Sequence, residues 1–410
     1  MALICALAAC SGSPAPFVPV QSQSSASAKA PHTTADNPSA LPGDNPSALP
    51  GDNPSALPGD NPSALPGDNP SALPGAQLAC ANTFAQGQAN CTVAINLNSP
   101  VVKNAQTPAN LLAGLHPADL QSRYGLPSAN AGGLVAIVDA YDDPTAEVDL
   151  AAYRAAFGLP SCTSANGCFT KVDQRGGTSY PQTNLGWSQE IALDLDMVSA
   201  VCPNCSILLV EADSASFDDL GAGVDLAATH HPAAISNSYY GPEYSGETAE
   251  DVHYKHPGIA ITVSSGDQRS PFYPAASPYA TSVGGTSLTN NSGAWSESAW
   301  PYDGAGCSKY EAKPSWQGNT GCKTRSTVDV AAVADPQTGV TTFDSTAGGW
   351  YVVGGTSVAA PIVAAAYALS SNPQGPAYSY AHRSAFNAIG GQSGYFWTTG
   401  LGSPNGLAGL

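Results

Sequence analysis

Three segments of this 410-residue chain carry side chains whose types and spacing could do chemistry. The first is Gly354-Gly355-Thr356-Ser357-Val358-Ala359-Ala360-Pro361, which runs into an alanine-rich stretch. Its glycines let the backbone approach a ligand closely. Ser357 then falls at a helix N-terminus, where free N–H groups and the helix dipole stabilise developing negative charge. Pro361 is expected to close the first turn, where a missing N–H costs little. A serine in this setting is either a nucleophile or a cap ahead of a core helix.

The second segment is Trp187-Ser188-Gln189-Glu190-Ile191-Ala192-Leu193-Asp194. Glu190 and Asp194 are four apart, so a helix puts them on one face. Carboxylates at that spacing repel, which raises the pKa of one and lets a proton be shared. A solvated acidic face is the alternative, although the surrounding helix is strongly apolar. Asp196 lies off that face. The third segment, Val263-Ser264-Ser265-Gly266-Asp267, puts Asp267 just past a buried strand; alone, Ser-Gly-Asp reads as an ordinary turn. A second Gly-Gly-Thr-Ser, ending at Ser287, leads into no helix, and Ser287 is not expected to be a nucleophile.

Such residues need a rigid frame. Apolar residues make up 42% of the chain and charged ones only 11%, against a usual quarter. Continuous β-branched runs predict strands over Leu134–Asp139, Ser206–Val210, Ala234–Ser238, Ile259–Ser264 and Val328–Val333. Helical stretches fall at Ala146–Phe157, Trp187–Val201, Phe217–Thr229 and Ser357–Leu369. That alternation predicts an α/β fold, a doubly wound, mostly parallel sheet with helices on both faces. Ligands in such folds bind at the carboxyl ends of the strands.

The N-terminal part reads differently. Met1–Ala9 resembles the apolar core of a signal peptide, and Leu7-Ala8-Ala9-Cys10 resembles a lipoprotein box, so residues 1–10 point to export and to a membrane tether through an acylated Cys10. Residues 11–75 form a linker, of which 36–75 are five copies of Asp-Asn-Pro-Ser-Ala-Leu-Pro-Gly. One leucine and two prolines per repeat cannot bury enough surface to offset ordering entropy. The folded domain is placed at 76–410. Setting aside Cys5 and Cys10, sequence proximity favours disulfides 80–91, 162–168, 202–205 and 307–322. Cys202-Pro-Asn-Cys205 could instead be a redox motif or half a zinc site, but an exported chain favours a structural disulfide. A net charge of −18 argues against a nucleic-acid partner, and no apolar run reaches the length of a membrane span.

The Ser357 segment looks like the Gly-Thr-Ser-x-Ala-x-Pro nucleophile motif of the subtilase clan. Subtilisins proper carry a His followed by Gly, and none of the seven histidines here is followed by Gly. Together the Glu190–Asp194 helix, the Asp267 turn and the Ser357 helix resemble the sedolisins, the serine-carboxyl peptidases of that clan, over roughly His116 to Pro404. The resemblance implies a subtilisin-like fold with Glu190 as base, Asp194 as its partner, Ser357 as nucleophile and Asp267 as the oxyanion-hole carboxyl. It also implies that Ser236-Asn237-Ser238-Tyr239-Tyr240-Gly241 pairs with substrate backbone, giving Ser236, Ser238, Tyr239 and Gly241 as substrate-binding residues.

There are departures. The large pro-domain common in that family has no counterpart in the short stretch between the repeats and the domain start, so zymogen control is not expected. The stretch matching the family's calcium site, Phe386 to Gly394, lacks acidic residues, so no metal or other cofactor is expected. Gln268-Arg269 follows Asp267 where the family usually has Ser-Gly. Asp139, at the end of the first strand, is read as structural, yet competes with Asp194 for the role of orienting the base.

The expectation is an exported, monomeric, acid-acting endopeptidase that works on protein or peptide substrates, with an optimum near pH 3–5 if its carboxyls titrate close to 4. The competing readings are an inactive surface-binding protein on a peptidase fold and a glycosidase using Glu190 and Asp194. The glycosidase leaves the Ser357 segment unexplained.

Overall fold

The computed structural model describes residues 73–80, 84–127, 129–370, 375–391 and 395–410. All of them belong to one compact unit, Pro58–Leu410. The signal-like residues 1–10, Cys10 and the repeats as far as residue 72 lie outside the described residues. Leu73, in the last repeat, is buried against Ala94, Trp300 and Ala334.

Three short strands lead into the domain: β1 (Ala76–Leu78), β2 (Asn90–Cys91) and β3 (Ala94–Asn96). The central sheet is then built from β4 (Leu134–Ala140), β5 (Phe169–Asp173), β6 (Ser206–Ala212) and β7 (Ala234–Asn237). The short β8 (Tyr239–Pro242) follows; β9 (Ala260–Ser264) returns to the central sheet, and β10 (Phe272–Tyr273) pairs with β8. The sheet closes with β11 (Thr281–Asn291), β12 (Ala294–Ala299) and β13 (Val330–Val333). Its order is β12-β11-β9-β7-β4-β6-β5, with β13 also on β11. Every pairing is parallel except β11 with β12. The doubly wound, mostly parallel α/β sheet expected from the sequence is therefore present. A smaller sheet, β1-β3-β15-β14, adds β14 (Val340–Asp344) and β15 (Gly349–Gly354).

Strand alternation splits the core in two. Val135, Ile137, Ile207 and Leu209 face one apolar cluster, while Ala136, Val138, Leu208 and Val210 face the other. The first cluster packs under α1 (Pro117–Tyr124), α2 (Ala146–Ala156) and α3 (Leu185–Val201), and the second under α4 (Phe217–Thr229). The last helix, α5 (Thr356–Leu369), joins the first cluster, and all fourteen of its residues are buried. Its alanines let it sit close to α3 on one side and to β7, β9, β11 and β13 on the other.

Helix boundaries differ from expectation by a residue or two for local reasons. Asn184 accepts from the Gly186 and Trp187 N–H groups, so α3 starts at Leu185 rather than Trp187. Pro361 does not close the first turn of α5 but stands inside it, as the sixth residue. The missing N–H frees the Ser357 carbonyl, and the Ser238 hydroxyl lies 3.4 Å from that oxygen. All four proximity-based disulfides form: Cys80–Cys91, Cys162–Cys168, Cys202–Cys205 and Cys307–Cys322. Cys202 and Cys205 are thus neither a dithiol nor zinc ligands.

Candidate active site

The carboxyl ends of β4, β7 and β9 converge on the N-terminus of α5, and α3 crosses behind them. Ser357 is the second residue of α5 and is fully buried. Gly355 caps this helix at φ 105°, a conformation that L side chains rarely adopt. A Cβ there would also overlap the Thr92 carbonyl. The glycine thus lets another backbone pass directly over the helix start.

Glu190 and Asp194 lie one turn apart on α3, and both are fully buried. Burial and the nearby Asp139 push the Glu190 carboxyl well above its usual range, while the Ser357 hydroxyl and the Thr92 amide draw it back. Asp194 is raised well above its usual range by burial, then by Asp139 and Glu190. The Ser238 hydroxyl lies 2.7 and 2.8 Å from its two carboxyl oxygens. A protonated Asp194 can donate to Ser238, which can in turn donate to the Ser357 carbonyl freed by Pro361. Ser357 Oγ itself donates to the Ser238 carbonyl at 3.3 Å.

Asp267 follows β9. Its Oδ1 accepts from Thr356 N at 2.9 Å and Thr356 Oγ1 at 2.8 Å, whereas Oδ2 has no hydrogen-bond partner among the described residues. Burial pushes its pKa up to about 7 against the pull of those two bonds. A proton belongs on Oδ2, the oxygen that accepts no hydrogen bond among the described residues, and that O–H can be offered to a neighbouring anion. Asp196, as expected, points elsewhere and accepts from Phe343 N at 2.9 Å. Ser287 donates to Asp335 at 2.6 Å and lies within β11, not in the first turn of an α-helix.

Asp139 does not behave as a purely structural carboxylate. It is fully buried at the end of β4, and neither of its oxygens makes a hydrogen bond among the described residues. Burial pushes its pKa up to about 8. The site therefore holds three mutually repelling carboxyls, Asp139, Glu190 and Asp194, with no cation paired to them among the described residues. Such a group holds protons in common rather than residue by residue.

The segment expected to pair with substrate spans the end of β7, Ser238 and the start of β8, and its side chains have partners within the fold. The Ser238 hydroxyl serves Asp194, and the Ser236 hydroxyl lies beside the same carboxyl and helps to lower its pKa. The Tyr239 hydroxyl is buried and donates to Asn237 Oδ1 at 2.8 Å. Only backbone is left along the edge at Tyr239–Gly241, and that edge pairs with β2.

That pairing exposes residues the sequence reading missed. Thr92 N and Val93 N donate to Glu190 Oε2 at 2.6 and 3.2 Å, and the Thr92 hydroxyl is in contact with the Ser357 hydroxyl. In the tail, the Asn387 side-chain amide donates to the Pro404 carbonyl at 2.6 Å. No group of three His, Cys, Asp or Glu side chains able to hold a metal occurs among the described residues.

The chain resembles known proteins in sequence and in fold. The sequence model of the Subtilase family matches residues 178–385, half of the chain. Kumamolisin from Bacillus sp. (strain MN-32) is 29% identical over 355 residues, covering 71% of this chain and 62% of kumamolisin. Xanthomonalisin from Xanthomonas sp. (strain T-22) is 26% identical over 326 residues, covering 63% of this chain and 39% of its own. The chain thus spans less than two thirds of the length of either relative. Among solved structures, Pseudomonas sedolisin, a serine-carboxyl proteinase complexed with pseudo-iodotyrostatin, superposes with a TM-score of 0.61 at 24% identity, covering 72% of this chain and 96% of sedolisin. The chain belongs to the subtilase family, on the sedolisin side that its three linked motifs resemble.

Proposed function

We propose that the chain is an exported, acid-acting serine-type endopeptidase that cleaves protein or peptide substrates through an acyl-enzyme on Ser357. The observation that carries this reading is the meeting of Ser357 with Glu190, Asp194 and Asp267, supplied by three separate elements. Ser357 Oγ attacks the scissile carbonyl carbon and its proton passes to Glu190. The proton then goes to the departing amine, and water, deprotonated in turn by Glu190, releases the acyl group. Asp194 and Asp139 share the charge that Glu190 gains and loses. Asp267, protonated on Oδ2, donates to the oxyanion, as a buried acid held neutral can do.

The pH dependence follows from these roles. Asp267 donates only while protonated, so activity should fall as pH rises through about 7. Glu190 must be free to accept a proton, which sets the acid limb. Burial moves both limits upward from the ordinary carboxyl range, so the working window reaches above the pH 3–5 suggested by free carboxyls. The four disulfides fit an oxidising compartment and hence export. Anchoring through Cys10, a monomeric state and the absence of a cofactor complete the proposal.

The test is casein hydrolysis from pH 2 to 8 by the parent chain and by Ser357→Ala, with fluorophosphonate labelling mapped to the modified residue. The variant should lose roughly 10⁴-fold or more. Equal activity in the two would end the peptidase reading, and labelling elsewhere than Ser357 would end the mechanism.

A further inference from the structure

The chain leaves the sedolisin pattern directly after Asp267, with Gln268-Arg269 where Ser-Gly is usual. Arg269 has φ 56°, in the left-handed region that a residue other than glycine enters at a cost. Glycine would take that conformation freely, so the contacts of the arginine must offset the strain. Its Nε donates to the Pro301 carbonyl at 2.8 Å, and its backbone N–H donates to the Tyr302 carbonyl at 3.3 Å. Its guanidinium lies 4.3 Å from the centroid of the Tyr302 ring.

Gln268 is half-buried, and its side-chain amide donates to the Tyr240 hydroxyl, which also accepts from the Asp267 N–H. Tyr240 is itself buried in β8, with its ring 4.5 Å from that of Phe272. Phe272 in turn covers Gly266, where a Cβ would lie 2.5 Å from the ring. Asp267 is thus clasped from three sides. Thr356 of α5 holds its Oδ1, Tyr240 of β8 holds its backbone N–H, and the turn after Trp300 holds Arg269. That turn packs closely, because Gly304 has no side chain where the Ser265 carbonyl passes, and Gly304 N donates to Ser265 Oγ at 3.2 Å.

We propose that Gln268 and Arg269 are positioning residues for the oxyanion carboxyl, Gln268 acting through the Tyr240 hydroxyl and Arg269 through the Pro301–Tyr302 turn. This rests on the peptidase reading of Ser357 and Asp267. To serve an oxyanion, Asp267 must keep a proton and aim it at one point, so its backbone must not turn and water must stay out. The titratable groups facing it are Glu190 and Asp303, both buried acids, and Tyr240, which burial keeps protonated. The nearby cation, the Arg269 guanidinium, is on an exposed residue and stacks on Tyr302. Burial is therefore what holds the Asp267 pKa up. Loosening either clasp admits water and returns the carboxyl toward its ordinary range.

The experiment uses the full-length chain and three variants that suit the fold. Arg269→Gly removes one clasp while relieving the backbone, and Gln268→Leu and Tyr240→Phe each remove one end of the other. Across a pH series on a casein-derived fluorogenic peptide, each should lower kcat about tenfold with KM within about twofold of the parent. The alkaline limb of the profile should move down by about one pH unit. Gln268→Leu and Tyr240→Phe combined should cost no more than either alone, because they break the same contact. A limb that stays at the parent's pH in all three, or KM rising while kcat holds, would overturn the positioning role. The titration of Asp267 is also read without catalysis, by carboxyl carbon NMR in chains carrying Ser357→Ala, with Asp267→Asn to assign the signal. The same downward shift is expected there, and an unmoved titration would overturn the proposal whether or not any form is active. A shifted titration in a chain that neither hydrolyses peptide nor labels at Ser357 would keep the clasps and remove the peptidase reading instead.

Discussion

Asp329 and Asp194 are both fully buried carboxyls, but they are held by opposite means. Asp329 sits in the fork of Arg325, with Nη1 2.7 Å from Oδ1 and Nη2 2.5 Å from Oδ2. Ser282 N and the Tyr380 hydroxyl complete its shell. Asp194 meets the Ser238 and Ser236 hydroxyls, with Glu190 and Asp139 as like-charged neighbours. Where a guanidinium matches the charge, the carboxylate is part of the scaffold. Where hydroxyls and other carboxyls surround it, burial is compensated by protons, which can move. The two regions separate holding the fold from doing chemistry with the same functional group.

The comparison is broken most directly at its scaffold end. Arg325→Met leaves Asp329 buried without its partner, a change that costs about 3–5 kcal/mol. Calorimetry should show the melting temperature falling by roughly 10 °C. The pH profile of the remaining activity should keep its shape, because Arg325 faces none of the site carboxyls. A melting temperature within experimental error of the parent would mean that the ion pair contributes no net stability.

At the catalytic end, Asp267→Ala should cost about 100- to 1000-fold in rate, the usual loss for one oxyanion donor. Its melting temperature should stay near that of the parent. Asp267→Asn keeps a donor that does not titrate, so its residual activity should no longer fall as pH rises through about 7. An Asp267→Ala variant of full activity would remove Asp267 from the mechanism.

Much of this contrast was legible in the sequence, and the reasons are local. The β-branched run of β4 and the glycine-serine start of α5 announce themselves because strand burial and helix entry depend on neighbouring residues. Glu190, Asp194, Asp267 and Ser357 stand out for the same reason, each inside a short motif. Thr92 did not: the segment from Phe84 to Asn96 has neither helical nor strand periodicity, and its partners Glu190 and Ser357 lie 98 and 265 positions away. Asp139 was visible as the end of a strand but read as structural, because only the fold shows that its carboxyl oxygens accept no hydrogen bond among the described residues. The position of Pro361 was misjudged by a turn, since where α5 begins is set by its Gly355 cap rather than by the proline.

A smaller effect sharpens the same contrast through stability. Asp139, Asp267 and Asp143 are pushed up by burial to about 8, 7 and 6, against about 4 in an unfolded chain. Between those limits the folded state retains protons that the unfolded state gives up, so stability is fully present below about pH 4 and is lost as pH rises toward 8. The melting temperature should therefore fall by several degrees between pH 4 and pH 8. A rise over that range would mean that the protons retained by these buried carboxyls do not set the pH dependence of stability.

The smallest effect is expected where neither device is used, in the tail. Calcium takes six to eight hard oxygens, usually with carboxylates among them. After Asp344 the sequence contains no Asp or Glu. Phe386 and Asn387 instead pair antiparallel with Pro404 and Ser403, and the Asn387 amide donates to the Pro404 carbonyl. A donor is thus turned inward where a cation would need an acceptor, and Ser403 donates its hydroxyl to Glu297 at 2.7 Å. This corner is closed by neutral hydrogen bonds and one carboxylate that already has partners. A ligand that does not bind the folded state cannot stabilise it, so excess chelator should leave the melting temperature within about 1 °C of its starting value. A drop of several degrees, restored by adding calcium, would place an ion in the tail and make countercharge part of the scaffold there as well.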